Sequence, residues 1–295
     1  MKKKKLSLKK IIAFIFIIIG LVAITAPFLM RAISLYEGRV AYESFINSYD
    51  KEEQEELEAK AKAYNESIKH AEVAMVDPFE KKSFETENIL KNKHQIFAYI
   101  RIPKLRIRLP IYLDASMYHI SLGVAQISGT DIPVGGESTR SVIAGHRGYW
   151  DKNMFLYIGD LVRGDSIFID RAGKTLHYKV SDKEIIGPYD WDKLKPIQGE
   201  DMITLLTCDP FIPPSPNRLL VNAKRVKDEG KSGTELGNPS DKSSSQISAM
   251  GNYSKDMSSK KAKYLEIMDY SIATLGSLAL LIVLYKFVRY LIRRQ

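Results

Sequence analysis

Thr204, Leu205, Leu206, Thr207 and Cys208 run into Asp209 and Pro210, and Arg218 follows ten residues after the cysteine. Cys208 is the only cysteine of the 295-residue chain. It can form no intramolecular disulfide and cannot complete a multi-cysteine metal site, which leaves packing or thiol chemistry. A free thiol titrates near ~8.5, so nucleophilic work at neutral pH needs a neighbouring base or cation. Five histidines are candidates for the base. His70 lies in a charged helical stretch and His94 in a polar segment. His177 sits inside an alternating strand pattern. His119, before Leu122 and Gly123, caps or packs. His146 differs, because it ends the strand-like run Ser141–Gly145 and is followed by Arg147 and Gly148. Ala144, Gly145 and Gly148 leave room around an imidazole there. Arg218 opens a second strand-like run. If that run neighbours the one ending at Thr207, its guanidinium flanks Cys208 and can hold a developing oxyanion.

These residues need a scaffold, and the charge pattern says where it sits. The net charge is +9. Six lysines and no acid occupy residues 1–30, and Lys286, Arg289, Arg293 and Arg294 close the chain. The body between is close to neutral, which excludes nucleic-acid binding for it. Residues 1–10 read as a basic tail and 11–31 as a transmembrane helix, since Ile11–Met30 carries no charge and would span ~30 Å at about 1.5 Å per residue. A cleaved signal peptide is the alternative, but the apolar run is longer than the usual h-region. Residues 266–292 read as a second span, its Lys286 and Arg289 snorkelling to the interface. The basic flanks place both termini in the cytoplasm and 32–264 outside.

Within the exported part, 32–75 read as a helical lead-in, with Leu35, Tyr42, Phe45, Ile46 and Tyr49 on one stripe. Residues 76–95 form a polar segment opened by Asp77, Pro78 and Phe79, where the proline ends the helix. Residues 96–227 hold short runs rich in Ile, Val, Leu and Tyr: 96–102, 107–113, 141–146, 165–170, 175–186, 202–207 and 219–226. No long helical pattern alternates with them, so the expected class is mainly β, a closed barrel that removes exposed edges. Residues 228–262, rich in Ser, Gly, Lys and Asp, read as a flexible linker. Asn65-Glu66-Ser67 and Asn252-Tyr253-Ser254 match a glycosylation pattern, of a length that arises by chance.

Thr204–Cys208 with Pro210, then Arg218-Leu219-Leu220-Val221, with Ala144-Gly145-His146-Arg147 upstream, resembles the sortase family. The resemblance covers roughly 96–227. It implies the sortase eight-stranded closed β-barrel, with Cys208 as nucleophile, His146 as acid/base and Arg218 as oxyanion stabiliser. Thr207 is expected to contact substrate or shape the oxyanion site. No metal or organic cofactor is implied. The Asp77-Pro78-Phe79 triplet, the helical lead-in and the second span resemble the class C, pilus-assembling branch. There such a triplet forms a lid, its Asp facing the catalytic Arg and its ring covering the Cys. Two positions depart from the pattern. Asp209 stands where a small or hydroxylated residue is expected, and Pro213–Asn217 is unusually proline-rich.

The resemblance also implies the reaction. Cys208 attacks the Thr–Gly bond of an LPXTG-like sorting signal, and His146 protonates the leaving amine, giving a thioacyl-enzyme. In class C a lysine of the next pilin subunit resolves it as an isopeptide bond. The expected protein is thus a two-pass membrane cysteine transpeptidase of a Gram-positive bacterium. Its expected partners are pilin subunits and the lipid bilayer, and its catalytic domain is expected to be monomeric. A housekeeping-type sortase acting on cell-wall precursor, a cysteine hydrolase without transfer, and a non-enzymatic barrel scaffold are the alternatives.

Overall fold

The computed structural model describes residues 7–48, 50–69, 75, 77–79, 89–149, 152–171, 173–212, 214–226 and 257–292. It divides into two units. One comprises residues 1–37 and 263–295, the other 38–262.

The first unit is built from two apolar helices, α1 (Leu8–Asn47) as far as residue 37 and α4 (Met257–Ile292) from residue 263 on. Both α1 and residues 266–292 of α4 are long and apolar enough to cross a membrane. They approach closely at Gly276, where an added Cβ would overlap the Thr25 side chain. Phe14 meets Phe287 and Tyr290, with ring centroids 5.4 and 5.9 Å apart. Arg31 reaches the buried carboxylate of Asp269 at 3.4 Å. Two sequence boundaries move. The helix containing the first apolar run does not stop at residue 31 but continues to Asn47, because nothing after it breaks a helix before residues 48–50. Residues 257–262, expected in the linker, open α4. The rest of that linker from 228, the basic tail up to residue 6, residues 80–88, His70 and Asn252 lie outside the described residues.

The second unit holds a closed eight-stranded barrel. Its strands are β1 (Ala98–Ile102), β2 (Ile107–Tyr112), β3 (Val124–Gln126), β4 (Thr139–Ala144), β5 (Ser166–Arg171), β6 (Lys174–Ile186), β7 (Asp201–Asp209) and β8 (Asn217–Arg225). The order around the barrel is β1-β2-β3-β4-β7-β8-β6-β5, and β5 pairs back onto β1. Closure leaves no free edge. Seven strands follow the runs expected from sequence. The eighth, β3, is three residues long and has no periodicity to read. It pairs parallel with β2, so the chain must cross over between them. Helix α3 (Met117–Leu122) does this, capped by Ser116, which accepts from His119 N. Gly123 then passes so close to β2 that a Cβ would lie 2.5 Å from Pro110 O.

On the long strand β6, buried Leu176, Tyr178 and Val180 alternate with more exposed neighbours, as a half-buried strand should. On β4 and β7, by contrast, side chains on both faces are buried: Val142 and Ile143, Leu205 and Leu206. One set, including Ile143, Leu205 and Val221, belongs to the main core. The other, including Val142, Ala144, Leu206 and Leu220, forms a second cluster, against which Met75, Phe79 and Trp191 pack. Buried Arg140 organises this second face. Its guanidinium donates to Thr204 Oγ1 (2.9 Å), Asn222 Oδ1 (2.8 Å) and the carbonyls of Lys193 and Lys195, tying β4 to β7, β8 and the β6–β7 connection.

The lead-in docks on the barrel by two helical pieces. The C-terminal part of α1 places Tyr42 and Phe45 on Tyr99, each at 5.2 Å, and Tyr42 donates to Asp170, which also pairs with Arg101. Helix α2 (Lys51–Lys69) begins where Asp50 Oδ1 accepts from Glu53 N, and buries Leu57, Ala61 and Asn65. The Asn65 amide donates to Ile132 O (3.1 Å) and accepts from Ile132 N (2.8 Å). Its match to a glycosylation pattern therefore marks a buried packing residue. Asn65→Ala leaves both backbone groups of Ile132 buried without partners. We expect a loss of about 2 kcal/mol, read as a fall of several degrees in the unfolding midpoint of the barrel unit.

Candidate active site

Cys208 and Arg218 are directly opposite partners on the antiparallel strands β7 and β8. Opposite residues share a face, so the thiol and the guanidinium stand side by side. On the other flank, β4 runs parallel to β7 with Ala144 opposite Leu206. Extending that register by two residues brings His146 level with Cys208. Three chain segments far apart in sequence thus converge at one end of β7.

Five groups surround this point. Arg218 is buried, and its Nη1 is held by the carbonyls of Ser215 (3.1 Å), Pro216 (3.3 Å) and Asn217 (2.9 Å). Its Nε and Nη2 both go to Asp77 Oδ2, at 2.9 and 2.5 Å. Asp77 is only 2% exposed, and its second oxygen accepts from Phe79 N at 2.9 Å, the turn that Asp-Pro favours. Phe79 is thereby aimed at the site. Its ring lies 5.3 Å from the Arg218 guanidinium and 5.5 Å from the His146 ring. On its other side His146 stacks on Tyr149 at 4.7 Å. His146 Nε2 is buried and has no hydrogen-bond partner among the described residues.

The electrostatics follow from this packing. Burial pulls the His146 pKa down, disfavouring the imidazolium. Burial also pushes the Cys208 thiol up. Asp77 adds to that rise, while Arg218 and Arg147 oppose it. With the 77–79 segment in place, both groups are therefore held toward their neutral forms.

Of the residues singled out from sequence, Cys208, His146, Arg218, Asp77, Pro78 and Phe79 meet here. Thr207 does not. It is fully buried on the opposite face of β7, where its hydroxyl donates to Gly145 O at 2.8 Å. Because strand side chains alternate, the residue beside the cysteine points away from it. The other described histidines are engaged elsewhere. His119 is buried and stacked on Tyr112, with His94 Nδ1 2.9 Å from its Nε2, and His177 stacks on Phe168 and bonds Ser166. Two residues of the site carried no expectation of their own. Tyr149, three positions after His146, backs the imidazole. Arg147, next to His146, reaches across to Cys208 O and Asp209. Proximity in sequence to His146 was the available signal for both. Among the described residues no group of three metal-ligating side chains occurs.

Comparison with known proteins gives the arrangement a family. The sortase-domain family model matches residues 100–226. Among solved structures, Sortase C-3 from Streptococcus pneumoniae is 31% identical with a TM-score of 0.63, and the match covers 73% of this chain and 98% of that one. Sortase C1 of GBS Pilus Island 1 is 33% identical, with a TM-score of 0.58 and coverages of 68% and 96%. A pilus-related Sortase C of Group B Streptococcus is 32% identical, with a TM-score of 0.57 and coverages of 64% and 97%. Comparison with curated proteins gives no match. Fold, sequence and the shared length agree: the chain belongs to the sortase family of cysteine transpeptidases, in its class C, pilus-sortase branch.

Proposed function

We propose that this protein is a membrane-anchored pilin polymerase, with Cys208 as nucleophile, His146 as acid/base and Arg218 as oxyanion stabiliser. The observation that carries this reading is the pairing of Cys208 with Arg218 on adjacent strands, with His146 just past the end of the neighbouring β4 and Asp77 and Phe79 packed against Arg218 and His146. α1 and α4 span the membrane with both ends in the cytoplasm, and the barrel faces outward. The substrates are pilin subunits carrying an LPXTG-like sorting signal, and the acceptor is a lysine amine. Similarity to pilus-related sortases supports the substrate class.

The resting arrangement suggests how the steps follow one another. Arg218 Nη1 is committed to three backbone carbonyls, so Nε and Nη2 are the donors a substrate oxyanion would use. Those are the donors Asp77 occupies. The lid carboxylate therefore stands where the oxyanion would form, and the lid ring shields the imidazole. Opening frees Arg218 and admits water and substrate, relieving the burial that shifts Cys208 and His146 toward their neutral forms. His146 takes the Cys208 proton, the thiolate attacks the Thr carbonyl, Arg218 holds the oxyanion, and the C–N bond breaks as His146 gives that proton to the departing Gly amine. In the second half the incoming lysine amine attacks the thioester. His146 takes a proton from that amine, and Cys208 leaves.

Three outcomes are expected. Full-length protein in membrane vesicles, given pilin substrate, forms a high-molecular-weight ladder that Cys208→Ala abolishes. Transfer only to a peptidoglycan-like amine would replace this reading with the housekeeping one, and hydrolysis alone with the hydrolase. Arg218→Ala lowers kcat by roughly 100-fold or more, in line with loss of an oxyanion donor. In Asp77→Asn and Phe79→Ala, alkylation of Cys208 speeds up several-fold. Asp77 holds the thiol pKa up, so Asp77→Asn also moves the alkylation midpoint to lower pH. Unchanged alkylation in both variants would remove the lid role.

A further inference from the structure

The backbone pairing that aligns His146 with Cys208 stops short of both residues. The last rungs between β4 and β7 are Gly145 N to Leu206 O (3.1 Å) and the side-chain bond from Thr207 Oγ1 to Gly145 O. Among the described residues no backbone hydrogen bond joins 146–148 to 207–209. One side chain bridges that gap. Arg147 Nη1 donates to Cys208 O at 3.1 Å and to the carboxylate of Asp209. Both side chains are 18% exposed, and Arg147 Nε is buried without a partner, so the Asp209 carboxylate is what compensates the guanidinium's burial. Asp209 is also one of the positions where the chain departs from the expected pattern.

We propose that Arg147 and Asp209 are positioning residues of the transfer reaction. They clamp the His146 segment to the Cys208 strand end and balance each other's charge beside the thiol. The inference rests on the reading of Cys208 and His146 as the reacting pair. The guanidinium acts twice. It continues the β4–β7 register past its last rung, and it supplies a second cation near the sulfur besides Arg218. Asp209 holds it in place and offsets that cation. The charged and titratable groups around Cys208 are then Arg218 from β8, Asp77 from the lid, and His146 and Arg147 after β4, while Asp209, next to it on β7, turns to the other face and is held there by Arg147. Tyr149 stands behind His146.

Charge balance and a merely structural tie predict different signs. Because the chain has one cysteine, alkylation of the full-length protein in detergent reports Cys208 alone. Arg147→Gln should raise the pH midpoint of alkylation and Asp209→Asn should lower it, each on the order of 0.5 pH unit. The double variant should return close to the parent midpoint. In transfer assays Arg147→Gln should lower kcat about 10-fold with KM within roughly twofold, since binding is left while alignment is lost. Midpoints that stay put, or that move in the same direction, overturn the proposal. So does a double variant that is not restored. Retained transfer in Cys208→Ala would instead sink the reading of the reacting pair, and the alkylation midpoints would still decide the clamp.

Discussion

The register of β7 between two neighbours is the constraint on which the site depends. β7 pairs antiparallel with β8 and parallel with β4, and both registers are pinned by buried side chains on both faces. A slip of one residue on either side would turn Leu205 out of the main core and Leu206 out of the second cluster, so the pairing is strongly specified. Given that register, Cys208 stands opposite Arg218 and level with His146. The barrel's closure matters for the same reason: with no free edge, β7 has no alternative partner to pair with.

The second face of β7 shows how packing and reactivity are coupled. Arg218 and Asp77 are both buried, and removing either partner of a buried pair leaves an uncompensated charge, a strongly destabilising change. That makes a short turn of three described residues an effective cover. Its aromatic ring packs on the second cluster and against His146, while its carboxylate occupies the guanidinium's two remaining donors. The same contacts that bury the segment occupy Arg218, and burial shifts the thiol and the imidazole toward their neutral forms. In the proposed reading, stability of the covered state and restraint of the chemistry have one physical origin.

The legibility of the sequence was uneven for reasons visible in particular residues. Seven strands showed as apolar runs bounded by Gly and Pro, and their ends shifted by two residues or fewer. β3 did not show, because Val124, Ala125 and Gln126 are a strand only through their pairing with β2 and β4. Asn65 carried a misleading local motif, while its amide in fact closes on Ile132 from a distant helix. Thr207 looked like a site residue by adjacency, but strand alternation turns a neighbour in sequence to the opposite side. The first apolar run shows a helix in the sequence but not its continuation to Asn47, since the amphipathic stripe beyond it reads as a separate element.

The sequence by itself determined the chemistry available. One thiol, a histidine among small residues at a strand end, an arginine ten residues on, an Asp-Pro-Phe triplet and two apolar runs are properties of residue type and order, and need no coordinates. The tertiary structure decided the contacts themselves: that of the four described histidines His146 lies at the thiol's end of β7, that Asp77 takes both of Arg218's remaining donors, and that Arg147 spans the gap from His146 to Asp209. Those are contacts between segments separated by dozens of residues, and no local pattern encodes them. They arise because a closed barrel brings β4, β7 and β8 side by side and leaves their ends at one place.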